Sequence, residues 1–150
     1  CLSIATTLCA LPDVRFVNIL VAGNPVAMAA GLAQLNIITD HPEIYTVMET
    51  SASYIANHLR VSAEKHGIAM QVNQIGSLLC PYFTETPVNC YAAAKKSDKK
   101  RYAAYFNGML KRGIYLAPSQ FEAMFVSSVH TQNDLACTVQ AAEETLSEMA

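Results

Sequence analysis

Apolar positions recur three or four residues apart in the first half of the chain and predict two helices there. Asn24 followed by Pro25 is a helix start, since the amide side chain can cap free backbone N–H groups. Proline suits the first helical position because the N–H group that it lacks would have no partner there. This helix is expected to reach about Ile38. The Asp40-His41-Pro42 turn then begins a longer helix that ends near His66, with Gly67 as its left-handed stop.

Two more helices are predicted in the second half. Ser97 is the expected N-cap of the first, which has Asp98 in its first turn and ends at Gly113. Thr131, with Asp134 three residues later, forms a near capping box for the last helix. The apolar stripe of this last helix comprises Leu135, Val139, Ala142, Leu146 and Met149.

Short runs rich in apolar, β-branched and aromatic residues predict strands between these helices. Ala69–Ile75 and Ser77–Thr84 form one such pair, and Ile114–Ala117 and Met124–Val129 form another. The order of elements is helix, helix, strands, helix, two strands, helix. This order favours an α+β fold with a small, largely antiparallel sheet and helices on one face.

Residues 1–22 show the least regular pattern. They suggest a short helix or coil, a turn at Pro12-Asp13 and a strand over Val14–Val21. The stretch Cys1–Leu11 is apolar but has no basic region before it, so secretion is not expected.

The composition indicates a domain with an unusually apolar surface. A chain of 150 residues has the length of one domain. Charged residues are 15% and apolar residues 52% of the chain, whereas an average soluble domain has about 25% charged residues. No apolar run is long enough to span a membrane, so the apolar surplus is expected to cover an interface with a larger partner or a missing domain.

Charge and cysteine content exclude several kinds of partner. The net charge of −2 gives no electrostatic reason to bind nucleic acid or an anionic membrane. The basic cluster 95–101 is interpreted as the solvent-exposed start of a helix. The five cysteines and four histidines lack metal-ligand spacing, so no metal site is predicted. Free thiols fit a reducing, cytoplasmic compartment.

The corner 118–122, between the last two predicted strands, carries the candidate catalytic residue. Glu122 is a carboxylate with apolar residues on both sides of it. It is either exposed at a loop tip or held in a pocket with a partner. Ser119 and Gln120 are expected to shape the corner without a catalytic role.

Three stretches carry a resemblance to a known family: residues 23–31 (Gly-Asn-Pro-Val-Ala-Met-Ala-Ala-Gly), residues 103–110 and residues 113–122. Together they resemble the carboxy-terminal part of the glutamate-1-semialdehyde aminomutases, which belong to the class III aminotransferase group. The likeness runs from Gly23 to the end and includes the string Leu-Ala-Pro-Ser-Gln-Phe-Glu. Residues 23–150 are therefore expected to form a carboxy-terminal small domain of a fold-type I pyridoxal-phosphate enzyme.

The resemblance implies an isomerase that converts glutamate-1-semialdehyde to 5-aminolevulinate for tetrapyrrole (porphyrin) biosynthesis, as a homodimer. It implies pyridoxal phosphate bound to a lysine upstream of the matched part. The lysines of this chain lie on polar helix turns or in the basic cluster: Lys65, Lys95, Lys96, Lys99, Lys100 and Lys111. The chain is therefore expected to be inactive without the cofactor-binding domain, and no residue of it is expected to bind the cofactor covalently.

The resemblance also assigns a role to Glu122, which matches a family glutamate near the reacting amino group. Related aminotransferases place an arginine in this region to bind a substrate carboxylate, whereas residues 113–131 contain none. This absence favours an aminomutase over a general transaminase.

The likeness fails in residues 1–22. Family members carry Gly-Thr-Leu-Ser before the Gly-Asn-Pro, and its threonine contacts the cofactor phosphate of the neighbouring subunit. Here residues 19–22 read Ile-Leu-Val-Ala, which cannot make that contact. A second interpretation of the chain is a binding or interaction module, or a remnant, derived from the same domain.

Overall fold

A computed structural model describes residues 24–150. The divergent segment 1–22, with its expected turn and strand, lies outside the described residues. The chain divides after Ile44 into two units, of which the second is Tyr45–Ala150.

The first unit contains helix α1, Pro25–Asp40. Asn24 is its N-cap, as predicted, because its side-chain oxygen accepts hydrogen bonds from the backbone N–H groups of Val26 and Ala27. Most apolar side chains of α1 are exposed, and Val26 retains 77% of its accessible surface.

Helix α2, Glu43–Lys65, begins at the end of the first unit and continues into the second. As predicted, Gly67 ends this segment with a φ of 65°. The N–H of Ile68 donates to the carbonyl of Ala63 at 2.8 Å and so satisfies one of the last helical carbonyls. The inward stripe of α2 includes Ala52, Ile55, Leu59 and Ala63.

A three-stranded antiparallel sheet follows, in the order β1-β2-β3. Strands β1, Gln71–Ile75, and β2, Leu78–Tyr82, correspond to the first predicted pair of strands and form an antiparallel hairpin. Its two-residue loop begins with Gly76 at a φ of 52°, the region that the first position of a tight hairpin turn requires. The expected mixed helix and antiparallel-sheet fold is thereby confirmed.

The second predicted pair of strands is largely wrong. Strand β3 is only Met124–Phe125, which pairs with Leu79 and Leu78 of β2, and Ile114–Ala117 forms no strand. Residues 114–118 instead line a cleft, so tertiary contacts override their β propensity.

Helices α3, Tyr91–Ala94, α4, Lys99–Lys111, and α5, Gln132–Met149, complete the second unit. The short α3 lies between β2 and α4. The predicted N-cap Ser97 is wrong: the cap of α4 is Asp98, whose carboxylate accepts from the N–H groups of Lys100 and Arg101.

The start of α5 is the predicted capping box. Thr131 Oγ1 accepts from the N–H of Asp134 at 3.2 Å, and the Asp134 carboxylate accepts from the N–H of Thr131 at 2.7 Å. These two hydrogen bonds satisfy backbone donors that the first helical turn leaves free.

The core of the second unit lies between α2, α4, α5 and one face of the sheet. Its most buried large side chains include Leu59, Leu79, Tyr105, Met109 and Leu146. On the opposite face of the sheet, Ile75 and Phe125 are exposed.

Helices α4 and α5 approach each other closely at Gly108. A Cβ atom at this position would lie 2.4 Å from Cγ2 of Thr145, which is 1% exposed. Arg112 holds the end of the same helix against α5 through ion pairs with Glu144 and Glu148. The glycine is therefore required by packing.

Candidate functional site

The corner that carries Glu122 begins where α4 ends. Gly113 has a φ of 82°, in the left-handed region that favours glycine, and its N–H donates to the carbonyl of Leu110 at 3.0 Å. The N–H of Ile114 donates to the carbonyl of Met109. Together these bonds turn the chain away from the helix axis into residues 114–122.

Tyr102 fixes the middle of this segment. Its Oη donates a 2.6 Å hydrogen bond to the carbonyl oxygen of Ala117. Burial raises the pKa of Tyr102 to about 12, with smaller contributions from the nearby Cys80, Glu122 and Tyr82. The hydroxyl is therefore a donor throughout the physiological pH range.

Gln120 anchors the tip of the corner. Its side chain is 4% exposed, and Nε2 donates to the carbonyl of Ala94 in α3 at 3.3 Å. Within residues 24–150 its Oε1 has no hydrogen-bond partner. The N–H groups of Phe121 and Glu122 donate to the side chain and the carbonyl of Ser119 respectively, which closes the turn.

Glu122 lies exposed at the mouth of a cleft of about 440 Å³. Of the two alternatives drawn from the sequence, the structure shows the exposed carboxylate, which also borders the cleft. Among the described residues it forms no salt bridge. The carboxylate is thus free to bind a cation or an N–H donor from outside this part of the chain.

The other polar groups of the cleft come from the start of α5. His130 Nδ1 accepts from the N–H of Ser127 at 3.0 Å. Hydrogen bonds from the side chain and N–H of Thr131 lower the pKa of Asp134, whose carboxylate also lines the cleft. Sequence reasoning missed this juxtaposition because residues 114–126 and α5 come together only through tertiary packing.

Tyr102 and Gln120 are further residues of the site whose positions the sequence did not predict. Tyr102, Tyr105 and Phe106 are spaced so that they share one face of a helix, and packing in a core is sufficient to explain such a face. Gln120 was expected to shape the corner, but a polar side chain in a loop gives no sign that it will be buried.

The described residues do not fit pyridoxal phosphate by themselves. Every lysine of the described chain is exposed, and the lining of the cleft includes no lysine or arginine to bind an aldehyde or a phosphate. Lys65 pairs with Glu143, and Lys99 lies over the ring of Phe121 at 5.3 Å.

The remaining candidate groups have structural contacts. His58 Nδ1 lies 2.8 Å from the carbonyl oxygen of Tyr54, and His66 Nε2 lies 3.0 Å from Glu143. In residues 24–150, no three histidine, cysteine or acidic side chains cluster as metal ligands. Over the same range, none of the helices combines the length and apolarity needed to cross a membrane.

Similar proteins were found by sequence. The chain is 54% identical over 127 residues to the glutamate-1-semialdehyde 2,1-aminomutase of Ruminiclostridium cellulolyticum, a match that covers 85% of this chain and 29% of the relative. It is 45% identical over 126 residues to the enzyme of that name from Deinococcus radiodurans, with coverage of 82% and 28%. The resemblance to the aminomutases is confirmed. No family model matches the chain.

Solved structures agree on the fold. A glutamate-1-semialdehyde aminomutase from Pseudomonas aeruginosa matches with a TM-score of 0.65 and 17% identity, over 72% of this chain and 24% of that one. An omega-transaminase from Sphaerobacter thermophilus matches with a TM-score of 0.69 and 20% identity, over 83% and 28%. The described fold is therefore that of a segment of these enzymes.

The sequence matches cover only part of each aminomutase. The chain spans about 29% of the length of the aminomutases that it matches by sequence. Most of such an enzyme therefore has no counterpart in the sequence of this chain.

Proposed function

We propose that residues 23–150 act as the carboxy-terminal small domain of a glutamate-1-semialdehyde 2,1-aminomutase. This enzyme would be a cytoplasmic homodimer that converts glutamate-1-semialdehyde to 5-aminolevulinate for tetrapyrrole biosynthesis. The observation that carries the proposal is the 54% identity to an aminomutase over 127 residues.

In this proposal the cofactor belongs to another part of the enzyme. Pyridoxal phosphate supplies an electron-accepting ring that stabilises charge next to the reacting amino group. Because the cleft has no lysine or arginine, the aldehyde-binding lysine and the phosphate contacts must come from the cofactor-binding domain. The chain alone would then be inactive.

Glu122 is the residue of this chain to which we assign a catalytic part. Its carboxylate would accept a charge-assisted hydrogen bond from the substrate ammonium and so orient the amino group. The same oxygen can hold a proton that the amino group releases. Its exposure at the cleft mouth supports this assignment, because an external substrate can reach it.

The geometry of the corner supports the same role. Tyr102 and Gln120 each hold one point of the segment before Glu122, through the carbonyl oxygens of Ala117 and Ala94. A carboxylate on a segment fixed at two points is held close to one position, which catalysis by orientation requires.

A chimera tests the proposal. Residues 24–150 replace the matched segment of the R. cellulolyticum aminomutase, and 5-aminolevulinate formation is measured after reconstitution with pyridoxal phosphate. We expect the chimera to turn over glutamate-1-semialdehyde and the isolated 150-residue chain to give none. A chimera that folds and binds the cofactor but forms no 5-aminolevulinate would refute the proposed function.

A further inference from the structure

A second concave site, separate from the cleft beside Glu122, is a groove of about 430 Å³ lined by residues of β1, β2, α3 and the corner. Its lining shares no residue with that of the cleft. The volume falls in the range of ligand pockets, about 300–1,000 Å³. The lining combines the rings of Tyr91 and Phe121 with the side-chain amides of Asn73 and Asn89, and it includes no acidic residue.

Hydrogen bonds within the chain hold the walls of this groove in place. The carbonyl oxygen of Ala94 accepts from Gln120 Nε2 at 3.3 Å, which joins α3 to the corner. The same oxygen accepts from Oγ of the buried Ser97 at 2.6 Å. Asn73 Nδ2 donates to the carbonyl of Val88 at 2.6 Å, which joins the loop before α3 to strand β1. The groove is therefore preformed, and a ligand would not have to order it.

Two of the lining side chains form an exposed aromatic pair. The ring centroids of Tyr91 and Phe121 lie 5.7 Å apart, and their planes are inclined at 48°. Aromatic rings attract one another at centroid distances of about 4.5–7 Å. Because Tyr91 is 69% and Phe121 41% exposed, the pair has surface left for a third ring, that of a ligand.

Two lysines place positive charge against the same pair. Lys95 Nζ lies 5.8 Å from the centroid of the Tyr91 ring, and Lys99 Nζ lies 5.3 Å from that of Phe121. Both distances are within the range of a cation–π interaction, which holds an ammonium group near the ring. Among residues 24–150, neither lysine forms a salt bridge.

The acidic residues nearest to these groups in sequence are Asp98 and Glu122. The Asp98 carboxylate accepts hydrogen bonds from the backbone N–H groups of Lys100 and Arg101 at the start of α4. Glu122 lines the separate cleft. An anionic group in the groove would therefore meet two ammonium groups at its rim and no carboxylate in its lining.

We infer that this groove binds a small aromatic anion, a ring that carries a carboxylate or phosphate group. The ring of the ligand lies against Tyr91 and Phe121. Its anionic group lies at Lys95 and Lys99, and the side-chain amide of Asn89 adds a neutral hydrogen-bond donor to the lining. None of these residues has a part in the proposed aminomutase reaction, so the inference does not rest on the proposed function.

The test uses the 150-residue chain without pyridoxal phosphate. The ligands 3-phenylpropionate, phenyl phosphate, 3-phenylpropanol and 3-phenylpropylammonium are titrated in turn, and ¹H–¹⁵N NMR follows the backbone amides. We expect saturable binding of at least one anion, with an affinity at least about fivefold higher than that of the alcohol, because two ammonium groups attract its charge. The ammonium ligand should bind more weakly than the alcohol. The shifted amides should include those of Asn89, Tyr91 and Phe121.

Lys95→Gln and Lys99→Gln should each weaken binding of the anion about threefold and leave the affinity for 3-phenylpropanol unchanged. The matched control is Lys100→Gln, which removes a charge from the same basic cluster, since the cation–π contacts of the described residues involve Lys95 and Lys99. All three lysines are exposed, so each variant should fold. Tyr91→Ala should weaken binding of the anion and of the alcohol equally, because the ring contact is lost and both charges remain.

Three results would overturn the inference: alcohol binding as tight as that of both anions, equal losses in Lys99→Gln and Lys100→Gln, or shifts centred on the cleft beside Glu122. So would the absence of saturable binding by either anion. Failure of this titration leaves the aminomutase proposal intact, because the titration involves neither substrate nor cofactor. Failure of the chimera to form 5-aminolevulinate leaves the ligand preference of the groove intact.

Discussion

Tyr102 and Ala117 are joined by a 2.6 Å hydrogen bond from a tyrosine hydroxyl to a backbone carbonyl, across 15 positions of sequence. This bond connects the first turn of α4 to the segment that leads to Glu122. A partly buried carbonyl that loses its donor costs free energy, so the bond contributes to the position of the corner as well as to stability.

Tyr102→Phe should lower the free energy of unfolding by about 1 kcal/mol, because the Ala117 carbonyl loses its donor while the ring packing remains. Urea unfolding measures this change, and hydrogen exchange of the Phe121 and Glu122 amides should become faster. Tyr115→Phe is the control, since its side chain is 73% exposed and has no hydrogen bond within the described chain. Equal effects of the two substitutions would contradict the anchoring role of Tyr102.

Gly108→Ala should be destabilising despite the higher helix propensity of alanine. The propensity gain is about 1 kcal/mol, whereas forcing an atom into a packed interface costs about 1–3 kcal/mol. The added Cβ would meet Thr145 Cγ2 at 2.4 Å, and the buried Thr145 has little room to move. Thermal and urea unfolding would measure the loss.

Thr145→Ser provides the matched partner for a double-mutant cycle. Serine removes Cγ2 and keeps the hydroxyl that donates to the carbonyl of Ala141. The double variant should therefore recover most of the loss caused by Gly108→Ala, with a coupling of about 1 kcal/mol or more. Additive effects would show that the clash at Thr145 is not the cause.

Much of the helical framework was predictable because its signals are local. Asn24 before Pro25, glycines at positions 67 and 113, and the Thr131 and Asp134 pair each act on backbone groups within a few residues. Each of these interactions joins residues that are close together in the sequence, and the structure contains all of them.

The site was less predictable because its contacts connect distant residues. Residues 114–117 have β propensity, but no strand pairs with them within residues 24–150, and they line the cleft instead. Serine and aspartate are both favourable N-cap residues, so the sequence does not show whether Ser97 or Asp98 caps α4. The three-dimensional path of the backbone determines that the cap is Asp98. Glu122 was identified through a resemblance, whereas the cleft beside it follows from packing alone.

Glu143 should make stability depend on pH in the acid range. Hydrogen bonds from Lys65, Ser62 and His66 lower the pKa of its carboxyl from 4.5 to about 2. A carboxyl with a lowered folded-state pKa stabilises the fold above its unfolded pKa, and this contribution is lost as the pH falls from about 4.5 towards 2.

Glu143→Gln should therefore cost stability at pH 7 and progressively less below pH 4.5. Because the carboxylate side chain is 30% exposed and Lys65 65% exposed, solvent screening limits the loss to about 0.5–1 kcal/mol. Urea unfolding at a series of pH values measures the difference. Glu64→Gln, an exposed glutamate on the same helix as Lys65, is the control and should show no such window. A constant difference between wild type and Glu143→Gln from pH 7 to 2 would contradict the linkage.

Glu122→Gln should reduce turnover in the aminomutase chimera by about tenfold to a hundredfold, since glutamine keeps the shape but loses the charge and the proton-accepting oxygen. The measurement is kcat and KM for 5-aminolevulinate formation, together with cofactor absorbance and thermal stability. Because Glu122 is exposed and forms no salt bridge within residues 24–150, we expect stability and cofactor content to be unchanged. Glu85→Gln in the same chimera controls for loss of one surface carboxylate and should leave kcat at the parental value. If Glu122→Gln also retained the parental kcat, the carboxylate would have no part in the chemistry, even in a chimera that is otherwise an active aminomutase.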